Sequence, residues 1–463
     1  MTTKELQHLY WRTGFGLSHN QLEKLKKKSK KNIISDLFKQ TKQYESIAID
    51  LSKYDVLITG NYKQLKKEIG AEALRELQKD SRTEVRTLNA AWIDRLKTSK
   101  AVFSEKMTLF WANVFVCKDQ NIWHIQQYNN VLRQNAFGNF GDFVKAIAHE
   151  PSMLNYLNNK QNKKTSPNEN FARELMELFT LGSGNYTEQD IKESARAFTG
   201  WTYKKQGSFY LSKKNHDFDE KTFFGKTGNF DGNDIIDIIL EQKQCARFIC
   251  SKVYTYFINP TIDENRLEQL TEVFYKDYDI ENLMRYIFNS KWFYDTENIG
   301  VKIKSPIELM VGMDKVVSYQ LTKPKQSMYL QKMMGQILLN PVNVAGWQGG
   351  RNWIDSNTLM FRMKLPSVIL NNSVINLDEK GDIEGTFDEY YTKNNKKRKY
   401  LKTTVAWDSF DSHYKNATIE DLKNNLLLSP IHPDTEHLLH NLKVANQRDF
   451  CIQLMSIPEY QLC

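Results

Sequence analysis

The stretch "EKMTLFWANVFVCKDQ", residues 105–120, constrains this chain more than any other. At helical spacing it is apolar on almost every side, and a helix of that kind has no face to give to water. Other elements must surround it, so the fold needs helices layered around a central one. Punctuation elsewhere agrees. The 463 residues include only 10 prolines and 21 glycines, which favours long regular elements over many short strands. With 40% apolar and 12% aromatic residues, the chain can fill such a core.

Helix signals run through most of the length. Thr2 with Glu5 makes a capping-box pattern ahead of Leu6, Leu9 and Tyr10, and Gly14 ends that helix. Ser18 opens the next. Thr187 with Asp190, Ser305 followed by Pro306, and Ser356 mark later starts. Between Trp201 and Gly232 the helical period is lost, which predicts a long irregular segment of the kind that often carries function. A second such loop is "NPVNVAGWQGGRNWIDSNTL", and the polar stretch 371–415 is expected to hold a short β-hairpin. No repeat and no clean linker is found. The expectation is a mainly α fold, one large multi-helical domain over 1–463 with long irregular loops. Its core motifs fall within 100–370, the polar excursion at 371–415 and the closing helices at 416–463.

The net charge is +9, with basic runs at Lys26, Lys27, Lys28, Lys30 and Lys31 and again at Lys396, Lys397, Arg398 and Lys399. They read as solvated faces. No zinc finger or aromatic RNA-binding motif accompanies them, so nucleic acid is not the expected partner. Five cysteines without a CxxC pair fit a reduced compartment or plain core thiols. The start "MTTKELQHLYWRTGFG" lacks the apolar run of a secretion signal, and no stretch nears the ~20 apolar residues of a membrane span. A cytoplasmic chain without a span is expected. The sequence has no GxSxG, HExxH, P-loop or dinucleotide fingerprint, so those hydrolase, protease and nucleotide-dependent classes lack support.

Three places hold chemistry-bearing residues. In "SPNENFARELMELFTLG", projection at about 100° per residue puts Glu169, Arg173 and Glu177 in one charge ladder and leaves Glu174 at the edge of the polar face. Glu174 and Glu177, three residues apart, can act as an acid/base pair or hold a cation, with Arg173 beside them. His216, followed by Asp217 and Asp219, lies in the irregular segment that begins at Trp201. Together with Glu174 and Glu177 it makes a mixed His/carboxylate set suited to a divalent metal such as zinc or manganese. Trp347, Arg351 and Trp353, with Trp201, offer flat faces and a charge for a substrate. Each has a plainer reading: a salt-bridged surface helix, a structural histidine, a loop pinned by buried tryptophans. His437 and His440 have no carboxylate at ligand spacing and are expected to face solvent.

Five motifs, "HLYWRTGFG", "NENFARELMELFTLGSGNYTEQDIKESARAFTGW", "HDFDEKTFFG", "NPVNVAGWQGGRNWIDSNTLMFR" and "LMSIPEYQLC", occur here in an order that resembles the bacterial family catalogued as domain of unknown function 1800. The resemblance runs from about residue 6 to the end and implies a shared fold, without implying a reaction. Many members carry "FWHNHF" where this chain reads "FWANVF", so Ala112 and Val114 stand in place of two histidines. If those histidines bind metal in relatives, that half of the site is missing here. Two functions follow as expectations. One is an enzyme with Glu174, Glu177, Arg173 and His216 at a carboxylate/His site, acting on a glycan or peptide. The other, implied by the resemblance, is a non-catalytic partner or scaffold for a co-encoded protein of domain of unknown function 1501. Such neighbours are similar to alkaline phosphatases and sulfatases and often carry twin-arginine signals, so export as a folded passenger would follow.

Overall fold

The computed structural model describes residues 1–59, 62–204, 206–371, 401, 403–442 and 446–463. Helices dominate, and the sheets among the described residues are three antiparallel two-stranded ribbons. The first helix, Thr3–Thr13, starts at the expected box, in which Thr2 and Glu5 satisfy each other's backbone N–H groups. Thr187 with Asp190 and Ser305 with Glu308 build the same device, with Pro306 at the first helical position. Among the described residues no helix is long and apolar enough to cross a membrane.

The central helix is Val102–Val114, and ten of its residues are buried. Trp111 stacks on Phe115 and meets Phe143 edge-on, while its indole N–H donates to the Ala136 carbonyl. Burying that one polar atom with a partner removes the penalty it would otherwise carry. Around this helix a large apolar core extends from Leu6 to Leu339. A second core, from Leu309 to Tyr460, occupies the C-terminal third. The helix Pro306–Val316 belongs to both: Ile307 and Val311 pack in the first, and Leu309, Met310, Met313 and Val316 in the second.

A buried ionic seam runs along the same helix. Glu308 accepts from Lys106 at 2.5 Å and lies 3.3 Å from Lys302. Burial opposes its ionisation, but the two ammonium groups outweigh that and hold the carboxyl well below its ordinary range. Next to it, Arg12 donates to the carbonyls of Ile258, Asn298 and Cys463. Lys304 donates to the Tyr460 carbonyl at 2.5 Å and sits over the rings of Trp11 and Tyr460. The opening and closing signature motifs thus meet in the interior.

Two local expectations change. The Trp201–Gly232 segment contains two short hairpins, Trp201–Tyr203 with Phe209–Leu211 and Lys221–Phe223 with Lys226–Gly228, and stays irregular over 212–220 between them. Strands of three residues are too short to leave a period-two signature. Most of the hairpin expected over 371–415, and the basic run 396–399, lie outside the described residues. The described part supplies a strand, Thr403–Val405, that pairs with the distant Tyr319–Leu321, followed by the helix Trp407–Tyr414. The first basic run joins the helices His19–Leu25 and Lys30–Thr41 and is mostly exposed, with Lys26 paired to Glu23 and Lys28 to Asp36.

Candidate active site

The signature helix is not one regular helix. Asn170–Glu174 is α-helical, and Leu175–Thr180 continues as a π-helix. Thr180 Oγ1 donates to the Leu175 carbonyl at 2.6 Å, and the N–H groups of Leu181 and Gly182 both reach the Met176 carbonyl. The wider turn rotates Glu177 out of register with Arg173. Arg173 instead grips Glu188 through both guanidinium nitrogens at 2.9 Å, with Glu169 at 3.2 Å, while Glu177 accepts from the Tyr186 hydroxyl at 2.9 Å. Only the Glu169–Arg173 half of the expected ladder forms. Glu174 is half-buried, and burial followed by the charge of Glu177 pushes its carboxyl upward against the pull of Arg173.

His216 is buried elsewhere in a structural network. Its Nδ1–H donates to the Thr199 carbonyl at 2.7 Å and its ring lies edge-on to Phe218. Asp217 pairs with Arg196 at 2.8 Å and accepts the Asp219 N–H, while Lys221 donates to the carbonyls of Asp217 and Asp219. The charges acting on Glu174 are Glu177 and Arg173, while the contacts of His216 among the described residues are to Thr199 and Phe218. Among the described residues no group of three or more His, Cys, Asp or Glu side chains is placed to hold a metal ion. His216, Glu174 and Glu177 therefore do not make the expected metal set.

The tryptophans offered as substrate faces are turned into protein. Trp201 packs edge-on between Phe198 and Phe209, and Trp347 and Trp353 are buried. The Asn113 side chain holds the backbone of Trp347 at both ends, accepting its N–H at 2.8 Å and donating to its carbonyl at 3.0 Å. Gly346 makes the approach possible: its φ is +74°, and a Cβ there would lie 2.4 Å from Asn113 Oδ1. Ala112 and Val114 flank the asparagine that performs this pinning. Arg351 alone of the four is exposed. His437 and His440 face solvent, and Cys463 is buried with the other four cysteines.

A different cluster surrounds a cleft of about 400 Å³ beside the helix Ile122–Gln134. Asn121 caps that helix, its Oδ1 accepting from Trp123 and His124 N–H. Asp119 accepts the Asn121 N–H through Oδ1, which leaves Oδ2 facing His124 Nδ1 at 3.7 Å. His124 lines the cleft, is only 5% exposed, and has no hydrogen-bond partner on either ring nitrogen among the described residues. Asp119 Oδ2 is likewise unpartnered. Buried polar atoms in folded proteins are almost always paired with protein groups or ordered water, and these three, His124 Nδ1 and Nε2 and Asp119 Oδ2, find no protein partner among the described residues.

Glu150, at the start of the helix Pro151–Tyr156, adds a carboxyl of unusual basicity. Gln127, on the cleft wall, donates to its Oε1 at 3.1 Å, while Oε2 has no partner. Burial pushes the group up to about 7, with the Gln127 bond pulling the other way. Cys117 is fully enclosed, and burial with the charges of Asp119 and Glu150 holds its thiol well above its ordinary value, so it is not a thiolate nucleophile. The Trp201–Leu211 hairpin covers the far side. Tyr203 meets His124 edge-on at 5.0 Å, and the turn at Gly207 comes so close that a Cβ would stand 3.0 Å from Gln127 Oε1. Gln126 and Asn130 form the rim by holding the backbone of Ile49 and Ile47.

Asp119, His124 and Glu150 escape a reading by motif. Asp119 sits two residues before the cap and His124 at the third helical position, a spacing set by the cap itself. The usable signal is a carboxylate just outside an Asn cap with a histidine in the first turn. No curated protein and no solved structure matches the chain. The sequence model of one family matches residues 8–462, nearly the whole length. The chain therefore belongs to the family described as Protein of unknown function (DUF1800).

Proposed function

We propose that this protein is an enzyme that cleaves a polar substrate by general acid–base catalysis, with His124, Asp119 and Glu150 as its reacting groups. The observation that carries the reading is His124: a histidine buried in a cleft wall with both ring nitrogens unpartnered and a carboxylate 3.7 Å from one of them. A carboxylate at that position orients an imidazole and stabilises its cation when it takes a proton. Glu150, titrating near 7, is protonated in a substantial fraction of molecules at neutral pH and suits the acid. In the hydrolytic step His124 takes a proton from water as the water oxygen bonds to the substrate. Glu150 gives its proton to the departing atom as the scissile bond breaks. The side chains of Trp123, Gln127, Gln134 and Gln206 line the cleft with amide groups and one indole, a surface matched to the hydroxyls or amides of a glycan or peptide.

The test is a panel of neutral and acidic polysaccharides and of peptides, assayed for cleavage with wild type, His124→Gln and Glu150→Gln. Each variant is expected to lose roughly 10²- to 10⁴-fold in kcat while keeping its fold by circular dichroism. As the general acid Glu150 must hold its proton, so the alkaline limb of the wild-type pH–rate profile belongs to it and should vanish in the residual activity of Glu150→Gln. Undiminished cleavage in His124→Gln, or none by wild type across the panel, overturns the assignment.

A further inference from the structure

The Trp201–Leu211 hairpin that covers the cleft also carries a patch of lysines. Lys204 lies at its turn, where its N–H bonds the Ser208 carbonyl. Lys213 and Lys214 follow directly after its second strand. A separate loop brings Lys160, Lys163 and Lys164: the Lys164 N–H donates to the Asn215 carbonyl at 2.8 Å, and the Gly200 N–H to the Asn162 carbonyl at 2.9 Å. Lys160 reaches across to the Tyr203 hydroxyl at 2.9 Å and sits over its ring. Lys163, Lys164, Lys204, Lys213 and Lys214 are all exposed and have no ion-pair partner among the described residues. The first basic run differs, since part of it is neutralised by Glu23 and Asp36. The nearby Asp217 does not offset the patch, because Arg196 already pairs with it.

Unpaired like charges repel one another, and the chain gains nothing in stability by gathering them. A patch of this kind raises the local concentration of an anionic ligand, and here the same hairpin sets it beside the cleft. Tyr203 links the two, touching Lys160 on one side and His124 on the other. Exposed Tyr210 on the second strand adds a flat face. Among the described residues the patch holds lysine and no arginine, so it supplies charge without the planar fork that reads phosphates two at a time. Amides in the cleft, as above, suit hydroxyl groups.

We infer that the substrate of this site is an anionic polysaccharide, a chain of carboxylated or sulfated sugars. The lysine patch holds the polymer while one linkage enters the cleft. The inference rests on the acid–base reading of that cleft for its catalytic half, and on the patch alone for its binding half.

Binding of the full-length protein to polygalacturonate, neutral dextran and single-stranded DNA, at low and high salt, tests it. Wild type is expected to bind polygalacturonate in a salt-sensitive way and dextran weakly or not at all. The variant Lys163→Glu/Lys164→Glu/Lys213→Glu/Lys214→Glu should bind at least about tenfold more weakly. The control Lys27→Glu/Lys31→Glu/Lys39→Glu/Lys42→Glu, with the same change in net charge, should bind as wild type does. On an acidic polymer that is turned over, the patch variant should raise KM with little change in kcat, and His124→Gln should abolish turnover while keeping affinity. Equal loss in patch and control variants, no loss in the patch variant, or equal affinity for dextran overturns the inference. Tighter binding to DNA than to polygalacturonate overturns it in favour of a nucleic-acid ligand. Turnover that survives His124→Gln sinks the acid–base reading instead, and leaves the binding result standing.

Discussion

Glu150 and the unfolded chain disagree about when a carboxyl should release its proton. Behind the cleft-wall residue Gln127, burial pushes its carboxyl up to about 7, against 4.5 for an ordinary glutamate. Between those values the folded form keeps a proton that the unfolded form has lost, so stability falls as pH rises through that window. The difference corresponds to roughly 3 kcal/mol at most, with the loss complete above about pH 7. Glutamine keeps the acceptor that Gln127 uses and has no charge to bury. Glu150→Gln is therefore expected to become more stable than wild type as pH rises from 4.5 to 7 and to hold that margin above it, measured by urea unfolding across the pH range. A constant difference between the two proteins would count against the burial argument. Glu174, by contrast, was a candidate legible in the sequence, because projection left it outside the charge ladder. The structure agrees that Arg173 does not pair with it, and places it half-buried beside Glu177. His216 shows the opposite case. A histidine near two aspartates reads as a site, yet Thr199 and Arg196 already use those groups.

At the scale of the element, caps were the most readable feature. Thr2, Thr187 and Ser305 each start a helix where their side chains can satisfy an N–H three residues on, a relation fixed within a few residues of sequence. The π-turn was hidden, since projection at about 100° per residue assumes the α-helix that Leu175–Thr180 does not adopt. Removing the Thr180 hydroxyl that bonds Leu175 tests how much that turn depends on it. Thr180→Val is expected to cost about 1–2 kcal/mol and to leave Tyr186 less firmly bonded to Glu177, seen as faster amide exchange over 175–182. The Gly/Trp loop was legible as a loop but not in its orientation. Whether Trp347 shows its face or hides it depends on Asn113, more than two hundred residues earlier, and no local pattern records that pairing. Asn113→Ala should cost about 1–3 kcal/mol and expose Trp347, read as a red shift of its fluorescence. An unshifted spectrum would show the loop holds without the asparagine.

Over the whole molecule, two cores lean on one helix. Pro306–Val316 gives Ile307 and Val311 to one and Met310 and Met313 to the other, and Glu308 binds it to Lys106 and Lys302. Removing one partner of a buried ion group strands the rest, so Glu308→Gln is expected to cost about 3–5 kcal/mol. Because the helix is shared, both cores should melt together in wild type and variant alike, with residues 88–132 and 410–455 losing hydrogen-exchange protection at the same denaturant concentration. Two separate transitions would contradict a shared helix. The mainly α fold itself was foreseeable from the all-round apolar stretch at 105–120, because a helix without a wet face dictates that others enclose it. How the enclosure closes was not. Arg12, near the start, finds its acceptors at Ile258, Asn298 and Cys463. A ribosome makes residue 12 first and residue 463 some 450 residues later, which at 5–20 residues per second is roughly 20 to 90 s. Its acceptors arrive in turn, Ile258 and Asn298 well before Cys463, so the arginine's set of carbonyls is complete only once residue 463 has been added. The interior around the first helix is therefore closed by contacts of very long sequence separation, the kind whose loop-closure cost delays them in folding.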